Sequence, residues 1–265
     1  MLFGRYASNA REARFPQLWL GRQWAVCPSV QGPSGLSLYD LAGGRRHGTL
    51  TNMDVATDWV RSQGRYALDF DGTNDYVGGF ANIQVIRGLT ISLWFRATNT
   101  SKARHSLYSG SSDDSPDLYA HIQQVSGTTY AHNLYFRNAY AGTGTSFTLD
   151  TAWHHYAWIL SLGSGTKYYL DGRLQGTTAS ANEPIQDNLT QSIGAVPGLA
   201  GGGFTAQGEI DDVARYGREL SGGEIRLLAM RRGIAYEMRR DIFGEAGFKA
   251  YWARQRAGLI GGGVR

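Results

Sequence analysis

The chain has 265 residues and is rich in glycine (36), tyrosine (15) and tryptophan (7), a composition typical of many short strands joined by tight turns. Its one cysteine, Cys27, excludes an internal disulfide and a cysteine-rich zinc site. The net charge of +4 is unevenly spread: residues 1–65 hold 8 basic and 4 acidic residues, residues 66–225 hold 9 and 15, and residues 226–265 hold 9 and 3. Basic ends on an acidic middle indicate either an acidic partner for the ends or simply solvated termini.

No stretch of the sequence approaches the ~20 apolar residues of a membrane span. Residues 1–15 also lack the apolar run of a signal peptide. We therefore expect no membrane association and synthesis in a reducing cytoplasm, with which a single cysteine agrees.

The first part of the chain predicts an arm followed by two short strands. Residues 1–19 bear arginines and aromatic side chains without a regular period, and they are predicted to be an N-terminal arm anchored by Leu18–Leu20. Residues 24–50 predict one strand, a Gly-Pro-Ser-Gly turn at 32–35 and a second strand. Residues 53–63 predict a connecting loop.

Alternation of apolar and polar residues predicts the strands of the middle part. The stretch Leu89–Ala97 (LTISLWFRA) places Ile91, Leu93 and Phe95 on one face, because successive side chains of a strand point to opposite sides. Further strands are predicted at Tyr66–Val77, Leu107–Gly110, Leu118–Val125, Asn133–Asn138, Ile185–Ala195 and Glu209–Tyr216.

The stretch 153–176 (WHHYAWILSLGSGTKYYLDGRLQG) predicts two strands, followed by a hairpin turn at Asp171-Gly172. Both faces of its first strand carry large apolar side chains, which favours a strand between two stacked sheets. We expect Trp94, Trp158 and Ile159 to be core residues.

The last part of the chain predicts one short helix and a tail. Ser221 followed by Glu224 fits a capping box, and Ile225, Leu228 and Ala229 recur at helical spacing, so a helix of about ten residues is expected. The remaining residues, 234–265, are basic and aromatic and show no complete helical or strand pattern.

Several blocks of the sequence resemble the laminin-G-like, concanavalin A-like jelly-roll family. They are DLAGGRRHGTL at 40–50, ALDFDGTNDYV at 67–77, WHH and YLDG within 153–172, and GEIDDV followed by LSGGEI within 208–225. The resemblance implies an all-β, antiparallel two-sheet β-sandwich over residues 20–233, between the arm 1–19 and the tail 234–265. A fold of this kind does not by itself define a function.

Some proteins of this shape are glycoside hydrolases, and in the related glucanases one strand carries Glu-x-Asp-x-Glu, which places the carboxylates on one face. The nearest match here is Glu209-Ile-Asp211-Asp-Val213, in which Val213 replaces the third carboxylate. Asp212 is expected to point to the opposite face and cannot replace it. We therefore predict no enzymatic activity, and we interpret Cys27 as a buried thiol.

The family resemblance also implies a Ca²⁺ ion, which carboxylate and carbonyl oxygens would bind. Asp71, Asp75 and Asp211 lie in the matching blocks and are the candidate ligands. The alternative is that Asp71 and Asp75 stabilise the turn at Gly72 and that Asp211 makes a hydrogen bond at a strand end.

Glycan recognition is a second function that the resemblance supports, since aromatic rings stack on sugar faces and loop carboxylates bind hydroxyl groups. The candidate residues lie in and around the loop 109–116 and are Tyr108, Asp113, Asp114 and Tyr119. The alternative for the tyrosines is packing inside the sandwich.

The two ends of the chain resemble laminin-G-like proteins of tailed bacteriophages. The segments LWLGRQWAVCPSVQGPSG at 18–35, HGTLTNMDVATDWV at 47–60 and IGGG at 260–263 carry this resemblance. It implies a non-catalytic virion protein, capsid-decorating or head-ancillary, whose partners are other virion proteins (the major capsid protein or a tail component) and copies of itself. The alternative is a carbohydrate-binding adsorption module of a tail or fibre that meets a host-surface glycan, and a glycoside hydrolase comes third. No nucleic-acid specificity is expected.

The basic ends are predicted to attach the protein to its assembly, because arginine and aromatic residues dominate interface energetics. The candidate partner-binding residues are Arg231, Arg232, Arg239, Arg240, Phe243, Tyr251, Trp252, Arg254 and Arg256. The alternative is that the tail folds back over its own sandwich.

Overall fold

The fold is a sandwich of two antiparallel sheets, as the computed structural model of the chain shows. It describes residues 6–80, 88–112, 115–136, 139–161, 164–179, 190–199 and 203–239, and only the backbone of residues 111–112, 115–117, 136 and 139–143. Within these residues the strands form two sheets of eight strands each. The prediction of an all-β, jelly-roll sandwich is confirmed.

Strands predominate along the described part of the chain, and the helices are few and short. The strands are β1 (Arg22–Val26), β2 (Ser37–Leu38), β3 (Gly48–Thr51), β4 (Trp59–Ser62), β5 (Arg65–Asp71), β6 (Tyr76–Phe80), β7 (Gly88–Ala97), β8 (Arg104–Ser112), β9 (Ser115–Ser126), β10 (Thr129–Phe136), β11 (Ala139–Thr148), β12 (His154–Ser161), β13 (Gly165–Leu170), β14 (Arg173–Thr178), β15 (Thr190–Ile193) and β16 (Gln207–Tyr216). The helices are α1 (Pro28–Gln31) and α2 (Gly222–Leu228), with 3₁₀ turns at Pro16–Trp19 and Ile234–Tyr236. No helix of the described residues is long and apolar enough to cross a membrane.

The first sheet has the order β14-β13-β12-β7-β16-β5-β4, and the second has the order β11-β10-β9-β8-β15-β6-β3-β2. Strand β16 is central in the first sheet, because its first half pairs with β5, its second half with β1, and both with β7. The core between the sheets is aromatic and aliphatic, and its largest members include Trp24, Phe70, Phe80, Phe95, Tyr130, Tyr156 and Trp158.

Strand β12 is buried on both faces, as its sequence predicts. Tyr156, Trp158 and Leu160 point into the core between the sheets. Ala157 and Ile159 point outward into a second apolar cluster. That outer face is covered by loops and short helices, which we call the outer layer, and not by a further sheet. The outer layer comprises the described residues 6–21, helix α1, and residues 221–239, which include α2, whereas β1 belongs to the first sheet.

The burial of Trp94, Trp158 and Ile159 is confirmed, although the three residues face different layers. Trp158 lies between the sheets, whereas Ile159 packs under the outer layer. Trp94 also faces that layer, because its indole Nε1 donates to the carbonyl of Leu228 at the end of α2 over 3.3 Å.

The predicted hairpin at Asp171-Gly172 is confirmed. Both turn residues have positive φ, 49° and 75°, which matches the type I′ turn that this dipeptide favours. Glycine is also required for close packing, because a Cβ at Gly172 would lie 3.0 Å from the Cα of Arg226 in α2. The turn therefore holds the edge of the first sheet against the helix.

Helix α2 begins with the predicted capping box. The hydroxyl of Ser221 accepts a hydrogen bond from the Glu224 amide at 3.3 Å, and the Glu224 carboxylate accepts one from the Ser221 amide at 2.8 Å. The helix has seven residues, fewer than the ten expected, because it ends at Leu228 before the turn that leads to Gly233.

Two sequence-based boundaries are wrong. Tyr66–Val77 is not one strand, because a turn with Gly72 at φ 85° separates β5 from β6. The segment 53–63 is not only a loop, because its last residues form β4, which pairs with β5 across a turn at Gly64. The apolar alternation in this segment is too short to indicate a strand without its partner.

Candidate functional site

The middle of β16 carries three acidic residues, and a β-bulge determines where they point. The register between β16 and β7 shifts between Asp211 and Ala214, and Asp212 has a φ of 49°. Asp211 accepts a hydrogen bond from the Ser29 amide at 3.1 Å, and Asp212 accepts one from the Gly233 amide at 2.8 Å. Both carboxylates therefore reach the outer layer, and the expectation that Asp212 points to the opposite face is wrong.

The bulge also changes the side on which Val213 lies. Val213 packs in the core between the sheets together with Ile210. Glu209 is on the outer face, where its Oε1 accepts from Nη1 of Arg96 at 2.6 Å. The glucanase pattern is therefore absent both in residue type and in position, because Val213 leaves the face on which a third carboxylate would stand.

Asp211 and Asp212 are buried beside each other, and this shifts their ionisation. Burial, and then the neighbouring Asp212, raise the pKa of Asp211 to about 7, while Arg232 acts in the opposite direction. Burial raises the pKa of Asp212 as well, against the hydrogen bond from Gly233 and the charge of Arg22. The two adjacent buried acids hold backbone amides of two chain segments, Ser29 in α1 and Gly233 after α2.

Cys27 lies in the same buried cluster. Its Sγ is 3.6 Å from Oδ1 of Asp211 and 3.2 Å from Oγ of Ser29. Burial, and then the two carboxylates, raise the pKa of the Cys27 thiol well above its ordinary value. The residue is thus a neutral, buried thiol, as the sequence predicts.

Arg232, a predicted partner-binding residue, is 6% exposed and forms part of this cluster. Its Nη1 is 3.6 Å from Oδ2 of Asp211, and its Nη2 donates to the carbonyl of Ser62 over 2.8 Å. The guanidinium carbon lies 4.0 Å from the centre of the Trp153 ring. The prediction that Arg232 meets a partner is therefore corrected: the buried Asp211 needs a counter-charge, and Arg232 provides it.

The two described ends of the chain pair with each other in the outer layer. Tyr6 pairs with Glu237, and Ala13 pairs with Met238, both in antiparallel bridges. The Ala7 amide donates to the Tyr236 carbonyl over 2.7 Å, and the Arg239 amide donates to the Glu12 carbonyl over 2.8 Å. Residues 6–19 and 234–239 thus fold onto the sandwich, which is the alternative that the sequence left open for the tail.

Side chains reinforce this terminal pairing. The indole Nε1 of Trp19 donates to the carbonyl of Ala235 over 2.8 Å, and Leu18 is completely buried, so both anchor the arm as predicted. Leu20 is exposed and does not anchor it. Arg231 is exposed and forms an ion pair with Glu237. The predicted residues Arg240, Phe243, Tyr251, Trp252, Arg254 and Arg256 lie outside the described residues.

A laminin-G-type family model, described as the concanavalin A-like lectin/glucanases superfamily, matches residues 71–226, which is more than half of the chain. The chain belongs to the concanavalin A-like lectin/glucanase superfamily. This match contains β6 to β16 and ends within α2, so the outer layer lies mostly beyond it. No curated protein sequence matches the chain significantly.

Solved structures of the same fold come from several functional classes. A heptameric SAP-like pentraxin from Limulus polyphemus superposes with a TM-score of 0.53 at 16% identity, over 61% of this chain and 80% of the pentraxin. Trypanosoma rangeli sialidase in complex with 2,3-difluorosialic acid gives 0.57 at 16% identity, over 79% of this chain and 33% of the sialidase. The binding domain of botulinum neurotoxin serotype D/C gives 0.56 at 12% identity, over 80% and 52% of the two chains. At these identities the similarity concerns the fold alone.

The predicted glycan-binding tyrosines of this superfamily member are interior residues. Tyr108 is 1% exposed, and its hydroxyl donates to Oε1 of Gln191 over 3.0 Å. Tyr119 is 3% exposed, and its ring is 4.6 Å from His121 and 4.9 Å from Tyr135. Neither ring presents a face to a sugar, because both faces of the second sheet are packed here. Asp113 and Asp114 lie outside the described residues.

The three predicted calcium ligands lie at two separate places in the fold. Asp75 accepts from the Asp71 amide at 2.9 Å, and Asp71 accepts from the Thr73 amide at 2.6 Å, so both stabilise the turn at Gly72. Asp71 pairs with Gln207 on β16, and Asp211 lies four residues further along that strand. At about 3.3 Å per residue, Asp211 is about 13 Å away from the position opposite Asp71. Among the residues with described side chains, no three His, Cys, Asp or Glu are arranged to hold a metal ion.

Proposed function

We propose that this protein is a non-catalytic structural component of a bacteriophage particle, capsid-decorating or head-ancillary, which its terminal segments attach. The terminal pairing is the observation that carries this proposal. Because Tyr6 pairs with Glu237 and the Arg239 amide donates to the Glu12 carbonyl, the two ends of the described chain lie on one side of the domain. A domain with both ends on one side can be attached by them while the sandwich faces away.

The composition of residues 240–265 supports attachment to an acidic surface. This segment has five basic residues, Arg240, Lys249, Arg254, Arg256 and Arg265, against two acidic ones, Asp241 and Glu245. Four aromatic residues, Phe243, Phe248, Tyr251 and Trp252, are interleaved with them. Arginine and large aromatic side chains are the types that contribute most to binding at interfaces.

Deletion of residues 240–265 is expected to abolish incorporation into particles and to leave the melting temperature of the domain unchanged. The deletion begins at 240 because Ile234, Ala235 and Tyr236 are buried against the sandwich. Incorporation is measured by immunoblotting of purified particles and by electron microscopy with a labelled antibody. The charge variant Arg45→Glu, at an exposed loop position, is the control and should be incorporated normally. Normal incorporation of the deleted chain, or a lower melting temperature, would contradict the proposal.

The absence of catalysis is the second part of the proposal. Asp211 and Asp212 hold backbone amides, and Glu209 is paired with Arg96, so none of these three carboxylates of β16 is free to attack a glycosidic bond. We expect no release of reducing sugar from β-glucans beyond the level of a Glu209→Gln variant. Release by the unmodified chain that disappears in Glu209→Gln would overturn this part.

A carbohydrate-binding adsorption module of a tail or fibre is the second candidate function. The superfamily includes lectins, and the similar structures include a sialidase with a sialic acid analogue and the binding domain of a toxin. Saturable binding on a glycan array would favour this candidate function. The same candidate predicts that deletion of residues 240–265 leaves glycan binding intact.

A further inference from the structure

Two exposed regions of opposite charge lie at opposite edges of the first sheet. The first, which we name the basic patch, consists of Arg173 and Leu174 on β14 and Arg226 and Met230 at α2. The second, which we name the acidic edge, consists of Asp54, Val55, Asp58, Asp69 and Asp71 around β4 and β5. Neither region takes part in the terminal pairing.

The basic patch combines exposed apolar area with arginines. Leu174 and Met230 are 54% and 67% exposed. The two elements that carry them are adjacent, because the turn at Gly172 packs on α2, where a Cβ would lie 3.0 Å from Arg226 Cα and 3.2 Å from Ala229 Cβ. Exposed apolar side chains rimmed by arginine are typical of protein-binding surfaces.

The arginines of the basic patch have no ion-pair partner among the described residues. Within the described part of the chain, Arg173 and Arg226 form no ion pair, whereas the neighbouring Arg218 and Arg231 pair with Glu224 and Glu237. Two unpaired guanidinium groups beside exposed apolar side chains are available to carboxylates of another molecule.

The acidic edge concentrates carboxylates from three segments. Asp69 on β5 is directly opposite Glu209 on β16, and a like-charge cross-strand pair is unfavourable. Burial, and then the charges of Glu209 and Asp58, raise the pKa of Asp69. Asp54 adjoins Asp58, whose Oδ2 accepts the Asp54 amide at 2.6 Å.

Two carboxylate oxygens at or beside the acidic edge lack a hydrogen-bond donor within the described structure. Glu209 is only 8% exposed, and its Oε2 has no hydrogen-bond donor. Oδ1 of Asp69 is likewise buried without a donor. The nearby Lys102 ammonium donates to the Gly72 carbonyl over 3.0 Å. A cationic group arriving at Asp54 and Asp71 from outside would therefore lower the electrostatic energy of this edge.

The two regions cannot meet within one chain. Strands β14 and β5 are five inter-strand steps apart in the first sheet, which is about 24 Å at about 4.8 Å per step. We propose that copies of this chain associate head to tail, with the basic patch of one copy on the acidic edge of the next. Val55 is 42% exposed at the acidic edge and would adjoin the apolar part of the patch. An interface between two different surfaces is heterologous, so it generates rings or open chains.

Charge reversal tests this proposal through two variants of the full chain. The first carries Arg173→Glu and Arg226→Glu, and the second carries Asp54→Lys and Asp71→Lys. In sedimentation velocity at low salt, the unmodified chain should associate as its concentration rises, and about 1 M NaCl should dissociate it. Each variant alone should sediment as a monomer, because its two surfaces then carry the same sign of charge.

A mixture of the two variants is the decisive measurement. The reversed patch of the first faces the reversed edge of the second, and the two unaltered surfaces also match, so an equimolar mixture should recover association. Arg11→Glu with Arg45→Glu, at two exposed positions outside both regions, makes the same change in net charge as the first variant and should still associate. Because Asp54 and Asp71 also accept hydrogen bonds within turns, Asp54→Asn with Asp71→Asn, which keeps both acceptors, is measured alongside and should weaken association. A monomeric unmodified chain, or a mixture that stays monomeric while both variants are folded, would overturn the proposal.

Discussion

Replacement of Trp158 by alanine is expected to lower the free energy of unfolding by about 3–5 kcal/mol. The Trp158 ring is 1% exposed and lies between the two sheets, 6.1 Å from the Tyr156 ring and 5.8 Å from the His132 ring. Strand β12 is held between β7 and β13, so the sheets cannot close the cavity without loss of register. Because domains are stable by about 5–15 kcal/mol, this loss removes a large share of the total stability.

Denaturant unfolding measured by tryptophan fluorescence and circular dichroism tests this expectation. Leu174→Ala is the matched control, since Leu174 is in the same sheet but is 54% exposed, and its effect should be within about 0.5 kcal/mol. A Trp158→Ala variant that is as stable as the Leu174→Ala variant would show that the ring is not part of the core.

The burial of β12 illustrates what the sequence predicts well. Apolar residues on both faces of this strand indicate complete burial, and the structure confirms it for Trp158 and Ile159. The pattern does not show what covers each face, because any apolar surface satisfies it. The partner of the outer face consists of the arm, α2 and residues 233–236, which are brought together by pairing between residues more than 200 positions apart.

The acidic residues of β16 illustrate why the site was harder to predict. Assignment of faces from a two-residue repeat assumes a regular strand, whereas the bulge at Asp212 interrupts the repeat. A non-glycine residue with positive φ leaves no clear sequence signal. The contacts of Asp211 with Ser29 and of Asp212 with Gly233 are tertiary, so only the fold reveals that both acids serve the outer layer.

Tyr108 and Tyr119 show a related limit. Alternation along β8 and β9 indicates that their side chains stand on a sheet, but it does not distinguish a covered face from an exposed one. Both faces of the second sheet are packed at these positions, as Phe204 contacts the outer-facing Tyr119 ring at 5.9 Å. The cross-strand pair of Asp69 and Glu209 was missed for the same reason, since register is known only from the sheet.

Buried histidines are expected to make the domain unstable in acid. His105, His121, His132 and His155 are fully buried, and burial is the main cause that lowers the pKa of each from 6.5 to about 3. His132 is enclosed by aromatic rings, with Phe147 at 4.7 Å, Tyr156 at 5.4 Å and Tyr168 at 6.2 Å. Neither of its ring nitrogens has a hydrogen-bond partner within the described structure.

The direction of the effect follows from proton linkage. Because each folded-state pKa is below the ordinary value, the unfolded chain binds the proton first as the pH falls. The stability that the neutral rings contribute is therefore complete above pH 6.5 and is lost as the pH falls toward 3. Asp75 and Asp211, whose pKa values are raised to about 6 and about 7, act in the opposite direction, since their contribution is lost as the pH rises. Asp69 and Asp212, whose pKa values burial also raises, and His154, whose pKa its hydrogen bond with Asp171 raises to about 9, act in this opposite direction as well. A comparison of variants that differ at one buried histidine isolates the histidine contribution from these opposing groups.

Replacement of His132 by phenylalanine is expected to make the domain more resistant to acid. Phenylalanine fits among the surrounding rings and has no site for a proton, so the stability lost between about pH 7 and about pH 4 should shrink by on the order of 3 kcal/mol. Urea unfolding at a series of pH values measures this difference. The control His47→Phe changes an exposed ring and should follow the unmodified protein. Two results would contradict this prediction: an unmodified domain that keeps its stability down to pH 4, or a His132→Phe variant that loses stability in parallel with it. Either result would mean that burial does not lower the pKa of His132 in the folded domain.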